Sequence, residues 1–192
     1  MRSQTITRIC THKYIFMIHR QRTVSYTHLD VYKRQAVVKE MNRLGMVVDV
    51  AHLAEQGFKD VLSQSVKPVV VSHANCRALC EHPRNLQDWQ IKACAETNGV
   101  IGLCYYPDFI HAQEPSLDRL LDHAVHMASV AGVECVGLGS DFDGIEKVTP
   151  GLEDVTKVPQ LMQGLADRGF HKNEIAAIMG GNWLRLLKTV LA

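Results

Sequence analysis

Four short runs of β-branched and apolar residues constrain this chain more than any other feature; each leads to a polar residue and a helical stretch. They span residues 46–51, 68–72, 100–104 and 135–139. Runs so short and so uniformly apolar suit strands buried on both faces, as in a parallel sheet flanked by helices. A helix is expected over 36–44, with Val37, Val38, Met41 and Leu44 on one face and Gly45 as its stop. Further helices are predicted over 54–64, 86–97 and 116–131, and Tyr105-Tyr106-Pro107 reads as a loop. Three short helices near 159–168, 172–179 and 182–191 are expected to close the outside. Strands alternating with helices every ~20–35 residues call for right-handed βαβ units. The fold class is therefore α/β. About four units are visible, where a complete eight-stranded barrel takes ~250 residues, so a partial TIM-like (β/α)8 barrel is expected. A complete small doubly wound sheet is the alternative.

The 192 residues are enough for one domain with a tail. Hydrophobic residues make up 46% and charged residues 21%, which excludes a disordered chain. With 21 Lys+Arg against 20 Asp+Glu, the net charge of +1 gives nucleic acid nothing to hold. No run approaches the ~18 apolar residues of a membrane span, and no apolar signal core opens the chain, so a cytoplasmic location is expected. The six cysteines lie scattered without a CxxC pair, as buried thiols of a reducing compartment do.

Residues 1–35 contain no Gly or Pro and lack helical or strand periodicity. Within them, 24–35 can be back-translated into DNA that is nearly its own reverse complement, like two sequencing-library transposon ends joined head to head. The segment is read as artefactual or disordered, and 36–192 as the folded unit.

Chemistry in parallel sheets gathers at the carboxyl ends of the strands. His52, His73 and Asp141 all stand there. Two imidazoles and a carboxylate suit a hydrolytic zinc ion that keeps one position open for water. Hydrogen-bonded core histidines and a helix-capping aspartate are the structural alternatives. Arg84, in the loop after the second strand, offers a planar fork for a substrate carboxylate, or is simply exposed near a helix start. His123 and His126 fall inside a predicted helix and read as surface or packing residues.

Taken together, these residues lie in motifs with a known pattern. Met41-Asn42-Arg43-Leu44-Gly45-Met46, Asp49-Val50-Ala51-His52, Ser72-His73-Ala74-Asn75, His82-Pro83-Arg84-Asn85-Leu86, Gly137-Leu138-Gly139-Ser140-Asp141-Phe142-Asp143-Gly144 and Gly151-Leu152-Glu153-Asp154-Val155 resemble the membrane (renal) dipeptidase family of zinc peptidases, peptidase family M19. The resemblance covers about 36–192 and corresponds to the C-terminal half of the family's barrel only. It implies a metal-dependent hydrolase barrel with two zinc ions bridged by a carboxylate and a hydroxide. His52 and His73 are similar to the two histidines of one zinc site. Asp141 is similar to the aspartate that passes a proton from the bridging water to the leaving amine, and Arg84 to the residue holding the free carboxylate of a dipeptide.

The family's other ligands, a His-x-Asp pair on the first strand and a bridging glutamate, have no counterpart in 36–192, and His28-Leu29-Asp30 lies in the segment set aside. The resemblance thus implies at most a partial zinc site in a truncated, inactive dipeptidase chain. A non-catalytic fragment, or a related zinc amidohydrolase acting on non-peptide amides, is the alternative. A dipeptide substrate is implied as partner, and a homodimer is compatible with it.

Overall fold

The computed structural model describes Phe16–Met17 and residues 28–192, with side chains from Gln35 onward. In chain order these are β1 (Phe16–Met17), α1 (His28–Leu44), β2 (Val48–Asp49), α2 (Glu55–Gln64), β3 (Val69–Val71), α3 (Asp88–Glu96) and β4 (Val100–Leu103). There follow α4 (Pro107–Ile110), α5 (Leu117–Ala131), β5 (Val136–Leu138), α6 (Val158–Asp167), α7 (Lys172–Ala176) and α8 (Asn182–Leu191). The five strands form one sheet in the order β1-β2-β3-β4-β5, every neighbouring pair parallel. This is the partial (β/α)8-type architecture, its strands added in sequence order through helical crossovers.

Three elements differ from the sequence expectation in kind or extent, and a fourth, α8, differs in placement. A fifth strand, β1, pairs with β2 from within the segment set aside. α1 begins at His28 instead of Ala36, because no Gly or Pro interrupts the backbone between those positions. The reading of 1–35 as a foreign junction otherwise falls largely outside the described residues. The loop expected at Tyr105-Tyr106-Pro107 turns at once into α4, whose first position is Pro107, where a missing N–H costs nothing.

The two faces of the sheet are covered unequally. Val48, Val69, Val71, Ile101, Leu103 and Val136 face the larger core with Phe58 of α2, Ile91 of α3, Met127 of α5 and Leu165 of α6. Val47, Val70 and Val100 point the other way and pack under Leu186 and Val190 of α8, with Trp183 and Leu187 beside them. Instead of joining the outer layer, α8 therefore lies on the opposite face, because its apolar stripe matches those three valines. It also caps the β5 edge: Asn182 Nδ2 donates to the Val136 carbonyl at 2.8 Å, and Trp183 Nε1 donates to that of Leu138 at 3.1 Å. An edge with its carbonyls satisfied is a poor template for further pairing. Among the described residues no helix is long and apolar enough to cross a membrane.

The cysteines of the described part, Cys76, Cys80, Cys94, Cys104 and Cys135, are free and buried. Burial pushes the Cys135 thiol up to about 11 and that of Cys104 up to about 12, so neither is a thiolate nucleophile near neutral pH.

His123 is a packing residue, 1% exposed. Its Nδ1 accepts the Cys76 N–H at 3.0 Å while Nε2 donates to the Ile110 carbonyl at 2.9 Å, joining α5 to the loop after β3 and to α4. Burial holds this imidazole below its ordinary value of 6.5. A base with a depressed folded pKa stabilises the fold above its unfolded value, and that stability is lost as pH falls through the folded one. Denaturant unfolding at pH 7.5 and 5.5 should therefore show a loss at the lower pH. His123→Gln should reduce that loss by on the order of 1 kcal/mol, the worth of the Cys76 bond. An identical pH loss in the variant would remove His123 from the effect.

Candidate metal centre

The strand ends deliver their polar residues to one place. His52 follows β2, His73 follows β3 and Asp141 follows β5, so three parallel strands ending at the same side converge their next residues. His52 Nε2 and His73 Nε2 lie 3.0 Å apart, with ring centroids at 5.0 Å. Arg84 reaches in from the 77–87 loop: its Nη1 is 2.7 Å from His52 Nδ1 and its Nη2 is 3.2 Å from His73 Nε2. Asp141 Oδ2 stands 3.8 Å from His73 Nε2.

A guanidinium only donates, and this assigns both ring tautomers. His52 Nδ1 and His73 Nε2 are acceptors. The His52 proton is then on Nε2, donated to His73, and the His73 proton is on Nδ1, donated to Ser72 Oγ at 2.8 Å. Burial holds the His73 imidazole below its ordinary range, with Arg84 adding to the effect and the carboxylates of Asp141 and Asp49 opposing it. Burial likewise lowers Arg84, whose guanidinium nevertheless stays charged.

Local chemistry fixes each group. Asp141 has φ 63°, a left-handed conformation that aspartate tolerates, and its carbonyl accepts the Gly144 N–H at 2.9 Å. A Cβ at Gly144 would press on Asp141 Oδ1, so a larger residue there would turn the carboxylate from its present position. The Arg84 guanidinium lies 5.5 Å from the centre of the Phe109 ring of α4, a cation–π contact that shelves it. Its loop is tied down by Asn85, whose Nδ2 donates to the carbonyls of Cys80 and Phe109 at 2.9 and 2.8 Å.

Sequence inspection had not singled out Asn75, Asn85 or Asp49 for a role. Asn75 and Asn85 are 0% and 2% exposed, and nothing in their local sequence separates a buried asparagine from one in a turn. Asp49 carried a signal: a carboxylate inside the run Val47-Val48-Asp49-Val50 is out of place in a buried strand unless it is bonded.

Two imidazole nitrogens 3.0 Å apart approach the ~3.3 Å edge of a tetrahedral zinc site built on Zn–N bonds of about 2.0–2.1 Å. The pair fits as half of such a site. Among the described residues no group of three or more His, Cys, Asp or Glu is placed to hold an ion. The His28–Asp30 backbone forms the first turn of α1, not a strand.

A parallel sheet with two histidines and an acid at its strand ends offers the donor types that a metal-dependent hydrolase uses. The sequence profile of the membrane dipeptidase family (peptidase family M19) matches residues 2–192, and the chain belongs to that family. This corrects the expectation that the likeness begins near Ala36 and is confined to a C-terminal half: the profile runs through almost the whole chain. An uncharacterised dipeptidase of Schizosaccharomyces pombe is 43% identical over 156 residues, 80% of this chain and 38% of that protein. A dipeptidase of Aspergillus oryzae is 39% identical over 159 residues, 81% of this chain and 38% of its own length. The chain thus spans about two fifths of these curated relatives. Among solved structures, a metallopeptidase of Rhodobacter sphaeroides liganded with a phosphinate mimic of the dipeptide L-Ala-D-Ala superposes with a TM-score of 0.76 at 33% identity, covering 81% of this chain and 46% of that one. An amidohydrolase of Pseudomonas aeruginosa gives a TM-score of 0.77 at 27% identity, covering 82% of this chain and 56% of the other.

Proposed function

We propose that this chain carries part of the machinery for zinc-dependent dipeptide hydrolysis: His52 and His73 as metal ligands, Arg84 as the clamp for the substrate carboxylate, and Asp141 as the proton carrier. The observation that supports this reading is the 3.0 Å approach of the two Nε2 atoms with a carboxylate and a guanidinium beside them. A zinc ion held there supplies a water acidic enough to act as hydroxide near neutral pH.

The residues themselves set an order. A ring that ligates through Nε2 carries its proton on Nδ1, which is where Arg84 now donates to His52. Use of His52 Nε2 as a ligand therefore ends that bond and frees the fork for a carboxylate, which takes two parallel N–H bonds. In this reading Asp141, 27% exposed in its side chain and 3.8 Å from His73 Nε2, accepts a proton and returns it to a leaving amine. Among the described residues the two imidazoles have no third ligand, which makes a partial site, and the chain by itself is expected not to turn over dipeptides.

Titration of the purified chain with Co2+, followed by visible absorption, should show binding that is lost in His73→Ala. Alanyl-alanine should remain intact with or without added zinc. Co2+ binding indifferent to His73→Ala would remove the imidazole pair from the reading. Chelator-sensitive hydrolysis would overturn the partial-site reading; Asp141→Asn should then lower kcat by about 10²-fold or more, and Arg84→Ala should mainly raise KM.

A further inference from the structure

Asp49 is 1% exposed and stands in β2 in register with Val70 of β3. Its Oδ1 accepts two backbone N–H groups, from Ala51 at 3.0 Å and from Ser72 at 3.1 Å. Those two residues have one thing in common: each immediately precedes a histidine of the site, His52 or His73. One oxygen therefore fixes the chain where it leaves β2 and where it leaves β3, at the peptide before each imidazole. Its other oxygen, Oδ2, is buried without a hydrogen-bond partner. Burying a carboxylate and leaving one oxygen unpaired is costly, and apolar strand residues would fill the position at lower cost if packing were all it served.

We propose that Asp49 is a positioning residue that sets the mutual placement of the two imidazoles. Adjacent parallel strands can slide and splay at their ends, where ladder hydrogen bonds run out. A shared acceptor between Ala51 N–H and Ser72 N–H removes that freedom at the point where the histidine backbones begin. The 3.0 Å Nε2 to Nε2 approach and the tautomer pair that Arg84 imposes follow from it. Its use in metal binding rests on the ligand reading above, whereas the geometric effect does not.

The test uses the full chain with nitrogen-15-labelled histidine. Wild type should show the His52 ring protonated on Nε2 and the His73 ring on Nδ1. Asp49→Asn keeps an oxygen for both N–H groups, so it should keep both tautomers and bind Co2+ within about threefold of wild type. Asp49→Ala should give averaged tautomers at both rings and bind Co2+ at least about tenfold more weakly, as losing a group that orients a metal ligand does. If Asp49→Ala does not fold, Asp49→Glu takes its place, since it shifts the oxygens by one methylene, and it carries the same expectation. A folded Asp49→Ala, or Asp49→Glu in its place, with both tautomers unchanged overturns the proposal. Absence of Co2+ binding in wild type would instead count against the ligand reading and leave the ring spectra to decide on Asp49.

Discussion

Gly139→Ala is expected to cost about 3 kcal/mol or more of unfolding free energy, because the collision it creates is with backbone. A Cβ at Gly139 would stand 1.9 Å from the Ser72 carbonyl oxygen, and one at Gly102 would stand 2.1 Å from the same atom. Rotating a side chain cannot relieve either contact. The strands themselves would have to part at the end where Ser72 hands the chain to His73, so the damage falls on the site as well as the sheet. Gly169 is the control: it has φ +89° and nothing within 4 Å of an added Cβ. Gly169→Ala bears only the strain of a left-handed backbone, about 1–2 kcal/mol. Urea unfolding of both variants separates the causes. A Gly139→Ala variant no less stable than Gly169→Ala would show that the sheet yields easily at this point.

The glycines also show what could be read in advance and what could not. The four strands were legible because Val69, Val71, Val100 and Ile101 need burial whatever lies around them, and a continuous apolar run has few other solutions. The convergence of His52, His73 and Asp141 followed from that, since parallel strands end on one side. The start of α1 at His28 was missed because its first turns carry no apolar stripe, although nothing there breaks a helix either. Placement of α8 was missed for a different reason. Its stripe of Trp183, Leu186, Leu187 and Val190 announces a buried face without saying which side of the sheet will bury it. The partners of Arg84 were beyond reach as well: whether a guanidinium meets solvent or two imidazoles is decided by the path of the 77–87 loop, which Asn75 and Asn85 set through carbonyls distant in sequence, those of Cys104 and Phe109.

Asn75→Ala is therefore expected to cost about 3–5 kcal/mol, more than most buried polar deletions. Asn75 Nδ2 donates to the Cys104 carbonyl at 2.9 Å, and its Oδ1 accepts the Cys104 N–H at 3.1 Å. Cys104 is fully buried, so truncation leaves a donor and an acceptor without partners in a place water does not reach, each worth about 1–3 kcal/mol. The backbone of Asn75 meanwhile holds the Arg84 loop: its carbonyl accepts the Leu86 N–H at 2.8 Å, and its N–H donates to Asn85 Oδ1 at 3.1 Å. Asn75 thus couples the end of β4 to the loop that carries the guanidinium. Asn75→Asp refines the test, since it keeps an acceptor for the Cys104 N–H but turns a carboxylate oxygen toward the Cys104 carbonyl. Denaturant unfolding should place both variants well below wild type, and histidine ring spectra of any folded fraction should show the His52 tautomer released as Arg84 withdraws. A cost under about 1 kcal/mol for Asn75→Ala would mean that the end of β4 finds other hydrogen-bond partners and that the Arg84 loop is held from elsewhere.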